Sequence, residues 1–193
     1  EHYHELFQPL TPGFIHVTAG DVAELEQAVA THKVAGILIE CIQGEGGVNV
    51  IDADYIRAAA ALAAEQDVLF MVDEVQTGNG RTGALYAYMN YGITPDVVTT
   101  AKGLGGGLPI GATLMAEKVQ NVLGFGDHGS TYGGNPICAA GACSIISRLD
   151  ADMMASVREK GAFLMETFRG AKGVKSVSGM GLMIGVETER PAA

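Results

Sequence analysis

Two charged groups stand where short apolar runs end. Val68 to Val72 closes on Asp73 and Glu74, and Asp96 to Thr100 leads through Ala101 to Lys102 and a glycine-rich stretch. Runs of this length bounded by turn residues predict strands of a parallel sheet covered on both faces. Such sheets bind ligands outside the carboxyl ends of their strands. A carboxylate and an amine delivered there are open to more than one chemistry. The run VLFMVDE also describes the strand of a P-loop ATPase whose Asp serves Mg²⁺ and whose Glu aims a water. That reading needs a GxxxxGK[ST] loop, and the chain contains none. Nor does GLGGG (Gly103, Gly105, Gly106 and Gly107) supply the GxGxxG step of a dinucleotide site. Another chemistry uses both strand ends. A buried lysine forms a Schiff base with an aldehyde cofactor, and an aspartate keeps a pyridine nitrogen protonated so that the ring withdraws electrons. Taken singly, each residue has a plainer reading: a surface lysine at a strand end and a cap carboxylate.

The elements that must position these groups follow in order. Glu1 to His16 reads as irregular, with Pro9 and Pro12 excluding a helix interior, and His2 and His4 as an exposed pair rather than metal ligands. Asp21 opens a helix with Glu24 completing a capping box and Val22, Leu25 and Val29 on its apolar face. Ala35 to Ile42 predicts a strand covered on both faces, with Glu40 inside it. QGEGGV follows; its Glu45 is either a solvated turn residue or a carboxylate at the sheet edge of Asp73. Asp54 is placed as the cap of an alanine-rich helix from Tyr55 to Gln66. A helical piece should link the two central strands, giving alternating α/β order with right-handed crossovers. Gly111 to Glu117 reads as a further strand, Asp127 to Pro136 as a loop, and Ile137 to Leu149 and Ala151 to Phe168 as helices. Gly179 to Val186 reads as a strand with no visible partner.

Composition sets outer limits. The 193 residues are 48% hydrophobic with 27 Gly and no Trp, enough for a stable core with many tight turns. A formal net charge of −10 argues against nucleic acid and against an anionic membrane surface. No run has the length and apolarity of a spanning helix. Cys41, Cys138 and Cys143 show no metal spacing and read as buried reduced thiols of a cytosolic protein. With no initiator Met and an unpaired final strand, the chain is expected to be part of a longer protein.

VDEVQTGNGRTG followed by PDVVTTAKGLGGGLPIGA resembles the signature of class III (omega-amino group) aminotransferases, a fold-type I family dependent on pyridoxal phosphate (PLP). GFIHV, IECIQGEGGV, GDHGSTYGGNPICAA and the GMGLMIGVE run extend the resemblance along nearly the whole chain, and QGEGG, KGLGGGLPIGA and DHGSTYGGNP are most similar to its acetylornithine and succinylornithine branch. The resemblance implies an α/β large domain, mostly parallel sheet flanked by helices, over residues 1–149, with an α+β small C-terminal domain starting at 150–193. It implies transamination of the terminal amino group of N-acetylornithine with 2-oxoglutarate in arginine biosynthesis. Ornithine, succinylornithine and succinyldiaminopimelate are the alternative donors. By the same resemblance Lys102 would carry the cofactor and move the substrate proton, with burial lowering its proton affinity. Asp73 would pair with the pyridine nitrogen, Val75 would pack on a ring face, and Gln76 would bond the ring hydroxyl. Thr131 would reach the cofactor phosphate of a neighbouring subunit, Ser130 would touch substrate, and Glu45 would pair with an arginine or meet the substrate's amino end. Glu74 and Arg81 would serve structural ion pairing rather than chemistry. A homodimer sharing its sites across the interface is expected, with an amine donor and a 2-oxo acid as small-molecule partners. The family's phosphate loop, ring-stacking aromatic and substrate arginines have no match here, so the 193 residues alone should bind PLP weakly and turn over poorly.

Overall fold

The structure is a computed structural model that describes residues 5–190; His2 and His4 lie outside them. Its centre is a sheet of four strands: β1 (Gly36–Ile39), β4 (Leu69–Asp73), β5 (Val97–Thr100) and β6 (Ala112–Met115), in the order β1-β4-β5-β6. β1, β4 and β5 run parallel, while β6 returns antiparallel to β5. The link from β4 to β5 is not the expected helix. It is a series of turns with one 3₁₀ segment, Ala87–Tyr91.

Pleating divides the sheet into two unlike faces. Phe70 and Val72 of β4 and Ile37 of β1 pack with Leu25 of α1 (Val22–Thr31) and with Tyr55, Ile56, Ala59 and Ala63 of α2 (Ala53–Glu65). Burying a side chain of this size contributes about 1.5–3 kcal/mol, so this layer holds the fold. The alternate residues face the other way, and Leu38, paired with Met71, is 53% exposed. The predicted double-sided cover of Ala35 to Ile42 therefore fails on one face. The run also breaks after Ile39: Glu40 lies one residue beyond β1, and Ile42–Gln43 forms β2, a short antiparallel ladder with β3 (Asn49–Val50).

Local capping departs from the sequence reading in two places. Asp21 caps α1 by accepting from the Glu24 N–H at 2.9 Å, but Glu24 reaches to the Thr18 N–H rather than closing a box on Asp21. The cap of α2 is Asp52, which accepts from the N–H groups of Asp54 and Tyr55; Asp54 sits in the first turn and pairs with Arg57. Two aspartates two residues apart satisfy the same preference, and backbone conformation decides between them.

α3 (Pro136–Ile146) and α4 (Ala151–Arg169) complete the helices, with Asn135 and Asp150 as their caps. β7 (Val174–Met180) and β8 (Met183–Thr188) pair antiparallel. The unpartnered strand read over Gly179 to Val186 is thus the end of one strand, a tight turn at Gly181 (φ 57°), and the start of the next. Of the three free thiols only Cys41 is buried, where loss of water and the nearby Glu74 carboxylate push it up to about 12; Cys143 is exposed.

Candidate active site

The carboxyl ends of β4 and β5 lie side by side, with Asp73 opposite Thr99 in parallel register. Asp73 ends β4 on the half-covered face and accepts one hydrogen bond, from the Val75 N–H at 2.9 Å. Lys102 follows β5 by two residues and opens a 3₁₀ turn, Lys102–Gly105, in a left-handed conformation (φ 46°). Adjacent strands sit about 4.8 Å apart, and three residues reach at most about 10 Å, so the two Cα atoms lie within about 15 Å. One aromatic ring and the two side chains span such a gap.

Two clefts meet the strand ends. One of about 320 Å³ is lined by Leu38, Glu40, Gln43, Tyr55 and Asp73. The other, about 200 Å³, is lined by Val75, Gln76, Asn79, Arg81, Lys102 and Gly103. Asp73 and Lys102 thus belong to neighbouring clefts rather than to one enclosed pocket. Glu40 ties them together electrostatically. Burial and then the Asp73 charge push its carboxyl above the usual range, while the Gly44 N–H and the Lys102 ammonium pull it back.

The turn after Asp73 holds the remaining candidates. Gln76 donates from Nε2 to Glu45 Oε1 at 3.2 Å, which brings the β2–β3 turn onto the motif. Gly44 makes this possible, since a Cβ there would lie 2.2 Å from Gln76 Oε1. Glu45 is therefore not purely solvated, and among the described residues it pairs with no cation. Glu74 has a purely internal role: it is 0% exposed and accepts from the Thr77 hydroxyl and from the Ala87 and Tyr88 N–H groups, each N–H at 2.9 Å. Among the described residues it makes no ion pair, contrary to the expectation; Arg81 instead offers its carbonyl to the Leu182 N–H. Lys102 is exposed, unlike the buried amine that the resemblance implies. Ser130 and Thr131 stand exposed on the 127–135 loop and line neither cleft.

Sequence reasoning passed over Asn79. It is left-handed (φ 55°), and its Nδ2 donates to the Ala101 carbonyl and the Thr100 hydroxyl across the cleft from the motif turn. The Asn-Gly pair at 79–80 was the available signal, because asparagine tolerates positive φ in tight turns. The donor set fits an anionic pyridine aldehyde: a carboxylate for a ring nitrogen, an amine for the aldehyde carbon, an amide and an apolar side chain beside them. Two buried atoms without partners among the described residues, Thr99 Oγ1 and Asn79 Oδ1, lie at or beside the end of β5. Among the described residues no cluster of His, Cys, Asp or Glu could hold a metal ion.

Residues 1–193 match the model of the family described as Aminotransferase class-III, and the chain belongs to that family. It is 46% identical over 185 residues to acetylornithine aminotransferase of Haemophilus ducreyi, an alignment covering 96% of this chain and 47% of that protein. Among solved structures, ornithine aminotransferase from Toxoplasma gondii superposes with a TM-score of 0.88 at 38% identity, over 95% of this chain and 45% of that one, and that structure has PLP at partial occupancy at its active site. Acetylornithine aminotransferase from Elizabethkingia anophelis gives 0.85 at 33% identity, over 94% and 47%. The chain spans about half the length of the relatives it matches. The mixed sheet of parallel strands flanked by helices is the fold-type I large-domain architecture expected from the sequence.

Proposed function

We propose that this chain carries the lysine-bearing half of a PLP site and that the full-length protein transfers the terminal amino group of N-acetylornithine to 2-oxoglutarate. The observation that supports it best is the pair of parallel strands that deliver Asp73 and Lys102 to one sheet edge, with Glu40 sensing both charges. PLP, when bound, supplies an electron-withdrawing ring that stabilises negative charge on the amine-bearing carbon. Lys102 holds the cofactor and moves a proton at that carbon. Asp73 keeps a proton on the ring nitrogen, Val75 orients the ring, and Gln76 bonds its hydroxyl. Glu45, already joined to Gln76, meets the amino end of the substrate. Ser130 and Thr131 act on substrate and on cofactor phosphate across a homodimer interface, in the cytoplasm. Residues 1–149 form the cofactor-binding unit and 150–193 begin a smaller one; the separate β7–β8 sheet supports that division. The exposure of Lys102 supports weak cofactor binding by the 193 residues alone.

Ornithine is a second candidate donor, favoured by the high superposition with ornithine aminotransferase. Initial rates of the full-length protein with each amine separate the two. Borohydride reduction with PLP, followed by peptide mass analysis, should place a pyridoxyl group on Lys102. Asp73→Ala should retain that label while lowering turnover by at least about 100-fold, because the electron sink is lost. Label on another lysine, or full activity in Asp73→Ala, would overturn the assignment.

A further inference from the structure

Asn79 has no part in the roles assigned above, yet its side chain joins the turn that follows β4 to the end of β5. Nδ2 donates to the Ala101 carbonyl at 3.1 Å and to Thr100 Oγ1 at 3.0 Å. The Ala101 carbonyl also accepts from the Leu104 N–H at 3.0 Å, so it is pinned from both sides immediately before Lys102. Lys102 is left-handed, a conformation that a lysine keeps only when its surroundings impose it. The amide cannot reverse, because Oδ1 would then face the Ala101 oxygen; Oδ1 is buried without a partner. Asn79 and Lys102 line the same cleft.

We propose that Asn79 is a positioning residue for Lys102: by pinning the Ala101 carbonyl it fixes the lysine's left-handed backbone and so aims the amine into the cleft shared with Val75 and Gln76. The proposal rests on Lys102 being the cofactor-bearing lysine. From the other side the glycine turn is backed by α3, where a Cβ on Gly106 would lie 2.8 Å from Ile145 and one on Gly141 would lie 2.6 Å from Leu108. The amide therefore acts against a firm support.

Two variants of the full-length protein separate the amide from the backbone conformation. Asn79→Gly keeps positive φ and deletes the donor. Asn79→Asp keeps the shape and tolerates αL, but presents an acceptor to the Ala101 carbonyl. The rate of borohydride trapping of PLP on Lys102, per molecule folded by circular dichroism, should fall about tenfold or more in both, and further in Asp than in Gly. kcat should fall by a similar factor with KM for the amine donor unchanged within about twofold. A wild-type protein that takes no label at Lys102 would defeat the cofactor assignment and the clamp together. Label on wild-type Lys102 with unaltered trapping rates in both variants would overturn the clamp alone.

Discussion

Glu74→Gln offers a sharp test of how the motif turn is held. The carboxylate is completely buried; Oε2 accepts from the Thr77 hydroxyl and the Ala87 N–H, and Oε1 from the Tyr88 N–H. Burial raises its pKa from 4.5, against the lowering effect of those three donors, with Asp73 adding to the rise. The protonated acid can keep all three contacts, because its hydroxyl oxygen still accepts from Ala87 while donating to Thr77. Glutamine cannot, since its NH₂ must oppose at least one backbone N–H. One such conflict leaves a buried donor unsatisfied and costs about 1–3 kcal/mol. A carboxyl whose folded pKa is raised contributes stability that is present below its unfolded value and is lost as pH rises through the folded one. The wild type should therefore lose stability relative to the variant as pH increases above 4.5. The penalty of Glu74→Gln should be greatest near pH 4.5 and shrink toward neutrality. Thermal unfolding of the full-length protein and the variant across pH 4.5 to 8 measures this directly. A variant as stable as wild type at pH 4.5, or a penalty that grows with pH, would refute the reasoning.

Two other substitutions probe packing and capping. Gly161→Ala should destabilise the protein by at least about 2 kcal/mol despite a helix-propensity gain of about 1 kcal/mol, because the new Cβ would lie 2.1 Å from the Gly181 carbonyl oxygen; a more stable variant in urea unfolding would contradict that contact. Asp52→Ala should cost about 1 kcal/mol as a lost cap, while Asp54→Ala, which removes an exposed pair with Arg57, should cost at most about 0.5 kcal/mol. The reverse order in paired denaturation curves would restore Asp54 as the cap.

What could be read in advance followed from short-range pattern. The ends of β4 and β5 were legible because each apolar run stops at a charge, and the 151–169 helix because its apolar spacing runs unbroken to Gly170. The misreadings share a cause: the deciding partner is distant or is a backbone angle. Nothing near Glu74 indicates that two of its donors are the N–H groups of Ala87 and Tyr88, so ion pairing was the nearer guess. Gly179 and Gly181 look like pauses in one strand, and only the left-handed φ at Gly181 and the pairing of Met180 with Met183 show a turn. That turn has a distant purpose too. A Cβ on Gly181 would lie 2.7 Å from the Arg81 carbonyl, so the hairpin is docked on the motif loop a hundred residues earlier in the chain.

The strongest physical argument for a site here is the contrast between two neighbouring carboxylates. Strand pleating sends Asp73 and Glu74 to opposite sides. Glu74 enters the core and meets three donors, so its carboxyl holds the 3₁₀ segment at Ala87–Tyr91. Asp73 emerges on the half-covered face and, among the described residues, receives only the Val75 N–H. The left-handed Asn79 and Lys102 and the unsatisfied Thr99 Oγ1 and Asn79 Oδ1 gather at that same edge. A chain selected for stability alone gains nothing by placing strain and unsatisfied polar atoms beside an exposed lysine. Two of the four left-handed non-glycine residues and two of the three such polar atoms among the described residues lie at the ends of β4 and β5, next to a Glu74 with three donors, which supports the proposal that this edge serves chemistry.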